Sequence, residues 1–377
     1  MNRALQCLTA GAAVFLAACN STTGNGNCEP NCPPTGQRIY ALNSVGGSIS
    51  QLVIDQNGLS QIAADISLGA NHDGVSLDMF GPIYVTSTSE AGGSTVLFGN
   101  ADLGDQLVNT FPGANPSLVD PSKPTMAVDL AGNVTAPVAG RGTNHIYIAT
   151  PAQTVASLLA VNIGEYVERV LPASALLVAI DANLDDVTGT FEPLGPPAVH
   201  IIDLASGNLA ATVPLTGAVG MTEALFFQDI LMVLAGGGFG PAPGFAPEGN
   251  GNLALVRIVS QDIIKMLPID GNGISMKGGL NGNMYIVRTN DFVSSDILEF
   301  SPASEQWLRG PDNPIVARDG SGQPLNCWAA NALADDRLLC LTFVTAPGGG
   351  KLYLLDSTGS YLDDVGVGSG STDFVVR

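Results

Sequence analysis

Few side chains in this sequence stand at spacings that chemistry needs, and the densest set is acidic. Asp181-Ala182-Asn183-Leu184-Asp185-Asp186-Val187-Thr188-Gly189-Thr190-Phe191-Glu192 places oxygen donors at positions 1, 3, 5 and 12, through Asp181, Asn183, Asp185 and Glu192. That is the oxygen spacing of a twelve-residue calcium loop. Two positions depart from it, because Asp186 stands where glycine makes the sharp turn and Thr188 where an apolar anchor is usual. The segment also lies between strand-like runs. Calcium is therefore a candidate ligand here, beside the plainer reading of an acidic, solvated insertion.

The three histidines, His72, His145 and His200, are far apart and none has a second His or a Cys nearby. His72-Asp73 is the one placed to face a channel if the chain closes a ring. The sequence has no Gly-x-Ser-x-Gly elbow, and no phosphate-cradling loop precedes Lys123, Lys265, Lys277 or Lys351. No catalytic residue is assigned. Ala235-Gly236-Gly237-Gly238-Phe239-Gly240 follows a strand without opening a helix. It begins a long loop reaching Asn252 that holds Phe239, Pro241, Pro243 and Phe245. The loop reads as an insertion held by its prolines, or as a contact for a partner or ligand through its two phenylalanines.

The N-terminus gives an address. Arg3 precedes an apolar run from Ala4 to Ala18 and then Cys19, the layout of a secretory signal over 1–18. Leu16-Ala17-Ala18-Cys19 resembles the lipobox of bacterial lipoproteins. The resemblance implies that the Cys19 thiol is acylated, with diacylglycerol and palmitate-type chains, and becomes the new N-terminus. Asn20 in place of Asp implies the outer membrane, facing the periplasm or the cell surface. Residues 20–37 carry no branched aliphatic or aromatic side chain, so 19–37 reads as a lipidated cysteine and flexible tether. Apart from Cys7 in the signal, Cys28, Cys32, Cys327 and Cys340 remain, an even number suited to an oxidising compartment. A Cys28–Cys32 bridge closes a small loop. A Cys327–Cys340 bridge staples neighbouring strands, although a turn at Ala334-Asp335-Asp336 puts the two several residues out of register.

Charge excludes some partners. The chain has 377 residues with 34 acidic against 14 Lys and Arg, a net −20, so phosphate backbones and anionic lipid surfaces are repulsive. The expected membrane contact is the lipid anchor alone, and the expected partner is an envelope protein or small ligand bound by a monomer, not nucleic acid.

The elements that must carry these residues are short. With 46 Gly and 24 Pro, alternating or β-branched runs recur between Gly, Asn, Asp and Pro turns at intervals too short for helices. Arg38-Ile39-Tyr40-Ala41-Leu42-Asn43, Pro82-Ile83-Tyr84-Val85-Thr86-Ser87 and Met284-Tyr285-Ile286-Val287-Arg288-Thr289-Asn290 repeat one strand type. Turns such as Val128-Asp129-Leu130-Ala131-Gly132-Asn133 and Gly279-Leu280-Asn281-Gly282-Asn283 precede such strands. These units resemble the YVTN and NHL-like propeller repeats, which implies an all-β, seven-bladed β-propeller over 38–377, built of four-stranded antiparallel blades. The units fall near 38–67, 73–111, 126–161, 166–215, 222–267, 274–308 and 327–365. The last strand, 371–377, is expected to close the ring by supplying the strand that the first unit lacks. Such folds host many functions. The alternative to a binding or scaffold module is a lactonase-like or quinoprotein-like enzyme with a metal or cofactor in the channel, for which Asp73, Asp78, Asp129 and Asp373 lie near inner strands.

Overall fold

The computed structural model describes residues 36–67, 192–203, 205–220, 222–240 and 246–376, and between 74 and 185 the strands named below with their immediate flanks. The described residues contain strands and turns and no helix. Residues 36–377 cluster as one unit.

The first sheet holds β1 (Gln37–Asn43), β2 (Ser48–Asp55), β3 (Gly58–Gln61) and β4 (Ile66–Ser67). The second holds β5 (Gly74–Ser76), β6 (Tyr84–Thr86), β7 (Thr95–Phe98) and β8 (Leu107–Phe111). The third holds β9 (Ala127–Val128), β10 (Val134–Gly140), β11 (Thr143–Ala149) and β12 (Ser157–Ala160). In the fourth, β13 (Val167–Ala173) and β14 (Leu176–Asp181) are separated from β17 (Ala198–Asp203) and β18 (Leu209–Pro214) by a small ladder of β15 (Leu184–Asp185) and β16 (Glu192–Pro193). The fifth is β19 (Thr222–Phe227), β20 (Ile230–Ala235), β21 (Asn252–Arg257) and β22 (Asp262–Pro268). The sixth is β23 (Asn272–Gly278), β24 (Met284–Thr289), β25 (Asp296–Ser301) and β26 (Gln306–Arg309). The seventh is β27 (Cys327–Ala332), β28 (Leu338–Thr342), β29 (Lys351–Leu355) and β30 (Tyr361–Gly366), and β31 (Ser371–Val376) follows.

Each of these sheets is an antiparallel meander, and the expected strand groups fall at these positions. β31 joins the first sheet beside β1, with Ile39 opposite Val376 and Ala41 opposite Phe374. The earliest and latest strands of the fold are thus hydrogen-bonded neighbours, which removes two free edges at once. The row of first strands runs from sheet to sheet. β5 touches β31, which touches β27, and the row continues through β23, β19 and β13 to β9.

Burial on both faces explains why the middle strands read as unbroken apolar runs. In Ile230-Leu231-Met232-Val233-Leu234-Ala235, Leu231 and Val233 pack with Val178, Ile180, Val199 and Ile201 of the fourth sheet. Met232 and Leu234 point the other way, onto Met284, Ile286, Leu298 and Phe300 of the sixth. The period of two survives, but both phases are apolar. The same alternation continues from the sixth sheet to the seventh through Tyr285, Val287 and Leu338. It then passes to the first sheet, where Leu339, Leu341, Leu352 and Leu354 meet Ile39, Leu52, Phe374 and Val376.

Cys327 and Cys340 are disulfide-bonded, with Cα atoms 5.5 Å apart and both side chains fully buried. The doubt raised by the register is corrected by a bulge. Thr342 stands opposite Cys327 and Cys340 opposite Ala330, but the ladder slips one residue between Cys327 and Ala329. That slip leaves the two cysteines on a diagonal of one face, within reach of each other. Cys19, Cys28 and Cys32 lie outside the described residues.

Candidate functional site

In an antiparallel meander, the connections from second to third strand and from fourth strand to the next sheet emerge at the same edge. For the fourth to seventh sheets and the first, that edge gathers the acidic loop, the Gly-rich loop and the segments 290–295, 343–350 and 44–47. The chain enters β1 at Gln37, on the opposite edge. At about 3.3 Å per residue, a seven-residue strand separates the two edges by about 20 Å.

The acidic segment is drawn into local structure. Asp181 ends β14, is 4% exposed, and accepts the backbone N–H of Asn183 through Oδ1 at 2.9 Å. Its Oδ2 lies 3.8 Å from Nε2 of His200. His200 is buried on β17, and its Nδ1 is 3.0 Å from the Thr212 hydroxyl. Asn183 adopts φ 53°, and its amide donates to the Pro196 carbonyl at 3.2 Å. Asp185 and Glu192 pair across the β15–β16 ladder. The structure thus joins Asp181 to His200, a pairing the sequence reading missed, and places Asp185 opposite Glu192. Residues 186–191 lie outside the described residues, as do His72, Asp73, Asp78 and Asp129. His145 stands on β11 opposite Val138 and Ala160. Among the described residues, no group of three or more His, Cys, Asp or Glu side chains could hold a metal.

Along the row of first strands the ionisable groups pair with one another. Arg169 of β13 donates to Glu223 of β19 at 3.2 Å. The second Glu223 oxygen accepts the backbone N–H of Met276 on β23 at 2.5 Å. Lys277, the next residue, forms an ion pair with Asp373 of β31 and lies 5.9 Å from the Phe374 ring centroid. Four sheets are tied together by these charges. Of the aspartates expected near inner strands, Asp373 is the one within the described residues, and its partner is Lys277.

The Gly-rich loop is pinned by amides. Asn272, fully buried at the start of β23, accepts the Gly249 N–H at 2.8 Å and donates to the Gly238 carbonyl at 2.8 Å. Asn250 accepts the Gly238 N–H at 2.7 Å, and Phe239 bridges Pro247. Gly237 sits at φ 98°, and a Cβ there would come within 2.9 Å of Asn272 Oδ1 and of the Gly251 nitrogen, so a side chain is excluded. Phe239 is part-buried, not exposed as expected. Its ring stacks on Phe292 of the neighbouring loop, centroids 5.7 Å apart. Pro241, Pro243 and Phe245 lie outside the described residues.

Phe292 is held at φ 58° by Thr289, whose hydroxyl oxygen accepts its N–H at 2.8 Å. Asp291 accepts the N–H groups of Val293 and Ser294 at 2.9 and 2.8 Å. These bonds, the Ser294 amide first, hold the Asp291 carboxyl below its usual range. Phe292 remains 40% exposed and Val293 78%. Leu194, Val344 and Val45, at 54, 37 and 57% exposure, occupy the corresponding connections of the fourth, seventh and first sheets. The sequence signal for these residues was one or two apolar side chains inside connections containing Gly, Ser, Asn or Pro, too common to single out.

No protein-family model matches the sequence, and no curated protein does. Solved structures match the fold. The chain is similar to a hydrazine synthase chain of Kuenenia stuttgartiensis at 14% identity, with a TM-score of 0.55 over 85% of this chain and 96% of that one. It is similar to AztD of Citrobacter koseri at 13% identity and a TM-score of 0.52, covering 91% and 98% of the two chains. The computationally designed Ika8 protein matches at 12% identity and a TM-score of 0.52, covering 89% and 90%. Identities this low speak to architecture. The protein is all-β, built of four-stranded antiparallel sheets in a β-propeller-like arrangement.

Proposed function

We propose that this chain is a lipid-anchored, extracytoplasmic, seven-bladed β-propeller that serves the cell envelope as a protein- or ligand-binding module. In this reading the signal over 1–18 is removed, Cys19 carries the lipid, and 19–37 tethers the domain to the outer membrane. β31 closes the ring through β1. The observation that carries the binding reading over catalysis is the pairing of the first-strand charges. Arg169 with Glu223, and Lys277 with Asp373, satisfy one another and knit blades together, while the exposed, irregular connections gather on one edge.

Two experiments test the reading. Mass spectrometry of the mature protein from membranes should show a diacylglycerol-modified N-terminal Cys19, and Cys19→Ser should release the protein from the membrane fraction. An unmodified N-terminus elsewhere would contradict the anchor. Calorimetric titration with calcium addresses the alternative of a cation-dependent enzyme. Binding tied to Asp181, Asn183, Asp185 and Glu192 would move the reading toward it.

A further inference from the structure

The connecting loops at one edge of five successive sheets combine exposed apolar tips with predominantly negative charge. Leu194, Phe292, Val293, Val344 and Val45 stand there at 37 to 78% exposure. The loops join one another. Phe239 stacks on Phe292, Asn326 at the head of β27 donates to the Phe292 carbonyl at 2.9 Å, and the Gly370 N–H donates to the Val344 carbonyl at 2.7 Å. A Cβ on Gly370 would meet Val45 Cγ2 at 2.3 Å, so the Val344 and Val45 loops come together at that glycine.

The charges on these loops are Asp185, Asp186, Glu192, Glu248, Asp270 and Asp291. Segments 44–47, 182–197, 215–221, 236–251, 269–271, 290–295, 343–350 and 367–370 contain no Lys, Arg or His, whereas the connection 310–326 carries Arg318 beside Asp312 and Asp319. At the opposite edge the exposed Val259 stands between Arg257 and the Asp262–Lys265 stretch, a mixed setting.

Building on the binding reading, we infer that this edge docks a polypeptide segment that is both cationic and apolar. Apolar tips alone would suit a lipid surface or a second copy. The anionic lipid surface and the second copy, itself at net −20, both place negative charge against negative charge. A segment with Lys or Arg beside aromatic or aliphatic side chains satisfies both features of the edge. The described chain enters β1 at Gln37, at the other edge.

The test is selection of 12-residue peptides from a random display library on the full mature protein, followed by anisotropy measurements with the winning synthetic peptides. Winners are expected to combine two or more Lys or Arg with aromatic or aliphatic residues. Their affinity should fall at least tenfold on Phe292→Ser/Val293→Ser, several-fold on Glu192→Gln/Glu248→Gln, and remain unchanged on Val259→Ser. Acidic or uncharged winners, no winners, or affinities insensitive to the edge variants overturn the inference. So does Phe292-dependent sedimentation with neutral phosphatidylcholine vesicles, or concentration-dependent dimerisation through the edge. None of these results alters the lipidation readout, so the inference and the anchor reading can fail separately. Circular dichroism melting of each variant guards against loss of fold.

Discussion

Lys277 and Asp373 are 18 and 16% exposed, so their ion pair lies between the surface case and the buried one. Exposed pairs contribute about 0–1 kcal/mol, whereas removing one partner of a buried pair costs about 3–5 kcal/mol. Lys277→Met should therefore destabilise the domain by about 2 kcal/mol, and Lys277→Met/Asp373→Leu should recover part of that in a denaturant-based double-mutant cycle. Additive losses would show that the pair contributes nothing. Asp291 allows a pH prediction. Its folded carboxyl titrates below the ordinary 3.8 because the Ser294 and Val293 amides bind the ionised form. The order it imposes on 291–294 is present above that ordinary value and lost as pH falls through the lowered one. Amide exchange at Val293 and Ser294 should accelerate on acidification before the core amides respond, and Asp291→Ala should reproduce this at neutral pH. At this scale the sequence was only partly legible. The spacing from Asp181 to Glu192 was visible, but the pairing of Asp181 with His200 depends on two strands meeting nineteen positions apart, which no local spacing encodes.

The strands themselves were legible because both phases of their period-two pattern are apolar and Gly, Asn and Asp mark the turns. Two features were not. The Cys327–Cys340 bridge depends on a one-residue bulge, which turn chemistry does not announce. Closing a loop of that length restricts the unfolded chain by about 3 kcal/mol. Cys327→Ala/Cys340→Ala should lower stability by that order in chemical denaturation, with a larger drop than either cysteine's volume explains. The Gly-rich loop read as an insertion held by its own prolines or a contact for a partner, and its amide anchor, Asn272, was hidden because it belongs to the next sheet. Asn272→Ala would leave the Gly249 N–H and the Gly238 carbonyl without their partner, at about 1–3 kcal/mol each where burial is retained. Faster exchange or proteolysis confined to 236–251 is the expected signature, and a wild-type pattern would show that the pin is dispensable.

For the whole molecule, β31 connects the last sheet to the first. Phe374 and Val376 share one cluster with Ile39, Leu52, Leu339 and Leu354. Deleting residues 371–377 should abolish cooperative unfolding or lower the midpoint by tens of degrees, whereas a near-native melt would mean the fold does not depend on the β1–β31 pairing. The proposed function turns at this scale on which edge meets a partner. The acidic composition first excluded nucleic acid; in the folded chain it acquires a place, beside apolar tips on loops where acids outnumber cations. A photoreactive residue at Val293, compared with one at Val259, in living cells tests this most directly. The account predicts a discrete cross-linked partner from Val293 and none from Val259; adducts from Val259 alone, or to lipid alone, would contradict it.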